Sequence, residues 1–149
     1  MNSRHEYSGS LGFLTTTVAR GISHAVTSAL QKAGFSITFE QWAILVSLWN
    51  QDGQCQHELA ICQGKDRPTI TRLIDNLQKN NFVVRVPSEK DKRVKKVFLT
   101  YGSRQNKAAI MEVFNQVMQQ AIKTVDADEL NTCLRVLSQI QSNLTPNVK

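Results

Sequence analysis

Two neighbouring stretches of the chain hold the side chains whose types and spacing could do chemistry. They are Lys65, Arg67, Pro68, Thr69, Thr71 and Arg72 in the first stretch, and Lys90, Lys92, Arg93 and Lys95 in the second. A guanidinium can grip a guanine edge or a phosphate, an ammonium can bind a phosphate, and a threonine can hydrogen bond a base or touch a thymine methyl. The expected chemistry is binding of a polyanion, with double-stranded DNA as the partner.

An amphipathic helix is predicted from Asp66 to Asn80. Its apolar residues recur at i, i+3, i+4 and i+7, and they are Ile70, Leu73, Ile74 and Leu77. Asp66 is a good N-cap, and Pro68 in the first turn costs no hydrogen bond because that N–H has no intrahelical partner. Taken alone, the pattern is more typical of an ordinary helix with a solvated face than of a helix that lies in a DNA groove.

A short helix is predicted just before this one, over about residues 56–63, with Leu59 and Cys62 facing inward. Gly64 then permits the positive φ that a tight corner needs. Two short helices joined by such a turn are typical of a helix-turn-helix, whose second helix lies in the DNA major groove.

After Asn81 the hydrophobic period changes from 3.6 to 2, which indicates strands. Residues 82–86 and 95–99 are predicted to pair as a β-hairpin around a charged turn at 88–93. The hairpin carries two acidic residues against six basic ones, which are Arg85, Lys90, Lys92, Arg93, Lys95 and Lys96. Charged hairpin tips are common and often only keep a protein soluble, but this bias favours an anion-binding wing.

The positive charge is concentrated around these two stretches. The chain has 149 residues and a net charge of +6. Residues 65–107 hold twelve Lys or Arg against four Asp or Glu, a local charge of +8, whereas the remainder holds six against eight, or −2. This distribution favours one polyanion-binding surface over a generally basic protein.

The composition argues against several other classes of protein. With 41% apolar and 20% charged residues the chain is typical of one folded domain, and no run approaches the ~18 apolar residues of a membrane span. The first ten residues are too polar for a signal peptide, so a cytoplasmic location is expected. We find no nucleophile–base set, phosphate-binding glycine loop or paired acids, so no enzyme is expected.

The three cysteines and three histidines have no metal-ligand spacing, so neither a metal nor another cofactor is expected. Cys55 and Cys62 flank the short helix and could sense oxidants. The alternative, which we favour, is that Cys62 is a small buried apolar residue and Cys55 an ordinary loop thiol.

Longer helices are predicted on both sides of this central region. A stripe of apolar residues covers 11–33, and a capping box begins a second, nearly all-apolar helix. The predicted starts and stops of the helices are Thr38, Thr100 or Ser103, Asp126 and Pro146. The predicted fold class is mainly α with a small β wing, a winged helix-turn-helix domain with long N- and C-terminal helices.

The segment from Asp91 to Thr100 resembles the wing of the MarR family of winged-helix transcription regulators, in which Asp-x-Arg precedes a strand that ends in Leu-Thr. Residues 58–60 and 67–77 agree with the same family, and the resemblance covers roughly residues 11–144. Gln63 and Lys65 stand where the family usually has leucines, so the turn is expected to pack less tightly. Asn81 replaces a usual glycine, a mild change because asparagine tolerates a left-handed turn.

The resemblance implies a homodimeric repressor that binds a pseudo-palindromic DNA site and responds to a small molecule, a metal or an oxidant. It assigns residues 11–33 and 103–144 to dimerisation and residues 38–100 to the winged helix-turn-helix lobe. Within the lobe, the helix-turn-helix covers about 55–79 and the wing about 82–99.

Residue roles follow from this placement. We expect contacts to base edges or nearby phosphates from Thr69, Thr71 and Arg72. Pro68 lies beside them on the same face of the helix. Phosphates are expected to meet Lys65, Arg67, Lys90, Lys92 and Lys95. Arg93 is expected in the minor groove at the wing tip, and Asp91 is expected to orient that tip by pairing with a nearby arginine.

Two other functions fit the same fold. A winged helix can act as a protein-interaction adaptor, but an adaptor has no need for a charge of +8 over residues 65–107. A non-specific DNA-binding protein would share the basic surface and would coat DNA uniformly.

Overall fold

The computed structural model of the chain describes residues 9–145, so the predicted helix stop at Pro146 lies outside the described residues. Its elements, in order, are α1 (Leu11–Lys32), α2 (Phe39–Asn50), β1 (Gln54–Cys55), α3 (Gln56–Gln63), α4 (Arg67–Lys79), β2 (Val83–Pro87), β3 (Lys95–Leu99), α5 (Tyr101–Gln105), α6 (Lys107–Ala121) and α7 (Ala127–Leu144). The predicted class, mainly α with a small β wing, is confirmed.

Helix α2 lies at the centre of the core, as its nearly all-apolar sequence predicts. Ile44, Leu45 and Leu48 are fully buried. The α2 ring of Trp42 stacks on Phe114 of α6, with 4.0 Å between the ring centroids. Because α2 buries side chains on several of its sides, the shorter elements pack against this helix.

Helix α4 packs on this core through the predicted stripe. Its buried residues are Ile70, Leu73, Ile74 and Leu77. The carboxylate of Asp66 accepts the backbone N–H of Thr69 at 2.8 Å, which confirms the predicted N-cap. The turn before α4 has Gly64 at φ +58°, and the turn after it has Asn81 at φ +60°. Both left-handed positions are therefore where the sequence indicated them.

The wing is the larger part of a three-stranded antiparallel sheet with strand order β1-β3-β2. In the hairpin, Arg85 stands opposite Val97. On the other side of β3, Gln54 of β1 pairs with the same Val97. The sequence did not predict β1, because two residues are too few to show an alternating pattern.

Asp52 anchors the wing to the end of α2. Its Oδ1 accepts the N–H of Leu99 in β3 at 2.9 Å and that of Gly53 at 3.0 Å. Its Oδ2 pairs with the guanidinium of Arg104 in α5. One carboxylate thus joins α2, the wing and the following helix.

The predicted long helix after the wing is divided in two, which corrects the sequence analysis. Thr100 caps α5 by accepting the N–H of Ser103 at 3.1 Å, and this short helix ends at Gln105 with Asn106 as its C-cap. Helix α6 then ends at Ala121, before the helix start predicted at Asp126. Thr100 also donates to the carbonyl of Asn81 at 2.7 Å, so contacts with the preceding loop fix where α5 begins.

The chain divides into two compact units, with the boundary between Met118 and Gln119. The second unit contains the end of α6 and α7, and Asp126 caps α7 by accepting the N–H groups of Asp128 and Glu129 at 2.9 and 3.1 Å. Helix α7 has no buried residue in this chain. Among the described residues, every helix is too short or too polar to cross a membrane.

We expect Gly53→Ala to destabilise the protein more than Gly64→Ala. Both residues have positive φ, which costs a residue with a Cβ about 1–2 kcal/mol. A Cβ at residue 53 would also lie 2.6 Å from Cε1 of Phe98, whereas a Cβ at residue 64 would have no neighbour within 4 Å. Overpacking of this kind costs roughly 1–3 kcal/mol more. Urea unfolding measures both losses, and equal losses would contradict the contact with Phe98.

The start of α4 is expected to lose stability in acid. Hydrogen bonds from the side chain and the backbone N–H of Thr69 hold the pKa of Asp66 below its ordinary value. A lowered pKa stabilises the fold above the ordinary carboxyl pKa, and this stability disappears as the pH falls through the folded value. Asp66→Asn keeps the cap acceptor and removes the charge. Urea unfolding should show a higher free energy of unfolding for the wild type than for this variant at neutral pH, and equal values in acid. A difference that stays the same at every pH would contradict this expectation.

Candidate nucleic-acid interface

The face of α4 opposite its buried stripe holds the first group of predicted site residues. Arg67, Pro68 and Arg72 are exposed, and Thr69 and Thr71 are half-buried. The cap at Asp66 fixes the first turn, so these side chains project from a well-defined start. A helix that presents two cations and two hydroxyls in its first two turns has the donors needed at base edges and phosphates.

The turn before α4 is held to α2 by polar contacts from Gln63 and Lys65. The Nε2 of Gln63 donates to the carbonyl of Ala43 at 3.2 Å and to the Oγ of Ser47 at 2.9 Å. The Nζ of Lys65 lies 2.7 Å from Oε1 of Glu40. Hydrogen bonds and an ion pair therefore hold this turn to α2, and the ammonium of Lys65 is paired within the protein.

The wing tip presents the second group of predicted site residues. Lys90, Lys92, Arg93 and Lys95 are all exposed. None of them forms an ion pair within the part of the chain that the structure describes. Their charges are therefore available to an external anion.

Asp91 shapes the wing tip in a way that the sequence analysis did not predict. Its Oδ1 accepts the backbone N–H of Arg93 at 3.0 Å, and its carbonyl accepts the N–H of Val94 at 2.9 Å. Asp91 thus contacts the nearby Arg93 through the backbone N–H rather than the guanidinium, because the short carboxylate turns back onto its own loop. The guanidinium of Arg93 has no ion-pair partner among residues 9–145.

Basic residues from the two stretches meet at one cleft. The cleft has a volume of about 310 Å³ and lies between α3, α4 and the wing. It is lined by Arg67 from α4 and by Arg93 and Lys95 from the wing, with Ile70 and Val94 as apolar neighbours. The start of α4 and the wing tip therefore share one cationic surface.

Arg85 is the residue of this region that sequence reasoning misjudged. It was counted with the cations of the wing, yet only 18% of its side-chain surface is exposed. Its Nη1 lies 2.7 Å from Oδ1 of Asp75 and donates to Oε1 of Gln78 at 3.0 Å. Arg85 thus fastens β2 to α4. No signal in the sequence identifies these partners, because they depend on how the hairpin packs on the helix.

The two cysteines near the helix-turn-helix have different surroundings. Cys55 is half-buried and lines the cationic cleft. Its backbone N–H donates to Oε2 of Glu58 at 2.7 Å, and this hydrogen bond lowers the pKa of that carboxyl. Cys62 is exposed, which corrects the prediction that it faces inward: α3 turns Leu59 and Ala60 to the core instead. The described residues contain no cluster of three potential metal ligands.

Comparisons with known proteins identify relatives of this chain. The model of the MarR family matches residues 37–95. The transcriptional regulator YybA of Bacillus subtilis, itself of uncharacterised function, is 24% identical over 117 residues, which are 78% of each chain.

Solved structures of similar fold extend over nearly the whole chain. The transcriptional regulator PA3341 is 29% identical, with a TM-score of 0.76 over 91% of this chain and 98% of its own. A probable transcriptional regulator from Pseudomonas aeruginosa is 22% identical, with a TM-score of 0.81 over 89% and 98%. The repressor CouR, solved on a 23-mer DNA duplex, is 21% identical, with a TM-score of 0.84 over 95% and 99%.

The family match covers the helix-turn-helix and most of the wing, where the predicted site residues lie. The structural similarity adds the flanking helices to the same arrangement. Members of this family are transcriptional regulators and not enzymes. Residues 37–95, which carry most of the predicted site residues, thus match the MarR family of transcriptional regulators.

Proposed function

We propose that this regulator binds a specific pseudo-palindromic DNA site as a homodimer. The observation that carries the proposal is the shared cationic surface, where Arg67 of α4 and Arg93 and Lys95 of the wing line one cleft. A helix and a hairpin tip that face the same way can meet a major groove and the adjacent minor groove of one duplex.

Each part of the surface has a role in the proposal. The first turns of α4 enter the major groove, where Thr69, Thr71 and Arg72 meet base edges beside Pro68. Arg93 enters the minor groove, and Asp91 keeps the tip in shape through the backbone of its own loop. The phosphate contacts are Lys65, Arg67, Lys90, Lys92 and Lys95. Lys65 reaches a phosphate by leaving or sharing its ion pair with Glu40.

Exposed apolar side chains support the homodimer. In α1, Leu11, Leu14 and Val18 are 53%, 47% and 56% exposed, although they form one stripe. In α7, Leu134 is 54% exposed. A stripe of this kind is costly in water and typical of a surface that another chain covers. Residues 11–33 and 103–144 would dimerise, and two copies of α4 would stand about one DNA turn, ~34 Å, apart.

The proposal includes repression of the bound promoter and release by a small molecule or an oxidant, as the family resemblance implies. A thiol oxidant would meet the exposed Cys62 first, and Cys55 at the cationic cleft second. Oxidation at Cys55 would act beside the DNA-binding surface itself.

Selection of bound fragments from the source genome tests this function. We expect recovered fragments to share an inverted repeat, and a footprint to show two protected half-sites with centres about ten base pairs apart. In the Arg93→Ala variant, the flanking minor-groove protection should disappear while sedimentation still finds a dimer.

Other outcomes of this selection would contradict the proposal. Uniform coating of every fragment would indicate a non-specific DNA-binding protein. Absence of binding to any fragment would favour the protein-interaction adaptor.

Affinity for the selected site should depend steeply on salt. Neutralisation of about 6–10 phosphates releases condensed counterions, so Kd should rise ~10³–10⁵-fold between 50 and 200 mM salt. Fluorescence anisotropy over this range measures the slope. A complex whose affinity barely changes would show that the cationic surface does not contact the DNA backbone.

A further inference from the structure

All three nitrogens of the Arg85 guanidinium make contacts inside the protein. Besides its contacts with Asp75 and Gln78, its Nε and Nη2 each lie 3.4 Å from Oε1 of Gln56, and Nη2 lies 3.3 Å from the carbonyl of Thr71. These are four hydrogen bonds and one ion pair, and a guanidinium has five N–H groups. Because all three guanidinium nitrogens make internal contacts and only 18% of the side chain is exposed, Arg85 is engaged within the protein rather than held out toward a phosphate.

The contact with Arg85 determines the orientation of the Gln56 amide. A guanidinium only donates, so the group of Gln56 that faces it must be the carbonyl oxygen. The amide nitrogen consequently faces the other way, and Nε2 of Gln56 donates to Oγ1 of Thr71. The direction of hydrogen bonding therefore runs from Arg85 to Gln56 and then to Thr71.

This chain of hydrogen bonds fixes what Thr71 can offer to a ligand. Its Oγ1 already accepts one hydrogen bond, and its hydroxyl proton has no acceptor among the described residues. Thr71 lies in the second turn of α4 and is half-buried, so the residue is partly open to solvent while Gln56 restrains its side chain. The hydrogen bond from Gln56 occupies one lone pair of this oxygen and leaves the hydroxyl proton free to donate.

We infer that Arg85, acting through Gln56, is a positioning residue that holds Thr71 as a hydrogen-bond donor to one acceptor atom of a base in each half-site. The inference rests on the proposed DNA-binding function and deepens it. Acceptors in the major groove are N7 of a purine, O6 of guanine and O4 of thymine, whereas cytosine presents only its N4 amino donor, so Thr71 as a donor would discriminate against cytosine at its position. Arg85 would thus serve specificity without a DNA contact of its own.

Two quantities separate positioning from phosphate binding. One is the specificity ratio, the Kd for a scrambled duplex divided by the Kd for the selected operator. The other is the slope of log Kd against log salt, which falls by about 0.9 for each phosphate contact removed. Both are measured by anisotropy on the folded full-length chain, with folding and dimerisation checked by circular dichroism and sedimentation.

Arg85→Met and Gln56→Met should each lower the specificity ratio roughly tenfold, since one oriented base contact is lost. Neither should change the salt slope. The matched control is Lys92→Met, another basic wing residue, which should lower the slope by about 0.9 and leave the ratio close to that of the wild type.

The Thr71 variants test the relay itself. Thr71→Val removes the hydroxyl at nearly constant volume and should match the loss in Gln56→Met, whereas Thr71→Ser keeps the hydroxyl and should keep the ratio. Adding Gln56→Met to Thr71→Val should cost nothing further. A merely structural role for Gln56 would instead give two losses that add.

Failure of this inference is distinct from failure of the proposed function. If the wild type has no preference for any selected site, the proposed function fails. If the wild type discriminates and Thr71→Val or Gln56→Met discriminates equally well, the inference is wrong. A fall of about 0.9 in the slope of Arg85→Met would also overturn it, because Arg85 would then be a phosphate contact. The Gln56 and Thr71 variants keep the test valid if Arg85→Met does not fold.

Discussion

The ion pair between Arg85 and Asp75, with the hydrogen bonds around it, decides how the wing stands relative to α4. An isolated two-stranded hairpin is marginally stable in water, so the wing needs outside support to hold a direction. Asp52 supplies a second anchor at the base of β3, and β1 adds a third strand. Since α4 is itself fixed on α2 by its apolar stripe, the helix and the wing form one rigid surface.

The same contacts divide the cations of this region into two groups. Lys65, Arg85 and Arg104 are paired with Glu40, Asp75 and Asp52, and they stabilise the arrangement of the elements. Arg67, Arg72, Arg93 and Lys95 have no such partner among the described residues, and they lie at the start of α4 and at the wing tip. The charge that remains available is thus concentrated where a duplex would meet the protein, which favours fast, salt-dependent association.

Much of this arrangement could be predicted from local signals in the sequence. The apolar spacing of α4, the caps at Thr38 and Asp66, and the left-handed turns at Gly64 and Asn81 each depend on residues within one turn or loop. The structure differs where a residue's partner is distant in the chain. Gln56 and Arg85 are 29 positions apart, so their contact follows from the packing of the hairpin on α4, and no period or cap signal could reveal it.

We expect α4 and the wing to bind DNA together, as one surface that is already formed in the free protein. A crystal structure of the protein on its selected operator tests this most directly. We expect the first turns of α4 in the major groove, Arg93 in the adjacent minor groove, and an α4–wing geometry that changes by less than about 1 Å on binding. A complex in which the contact between Arg85 and Gln56 is broken, or in which the wing points away from the duplex, would contradict it.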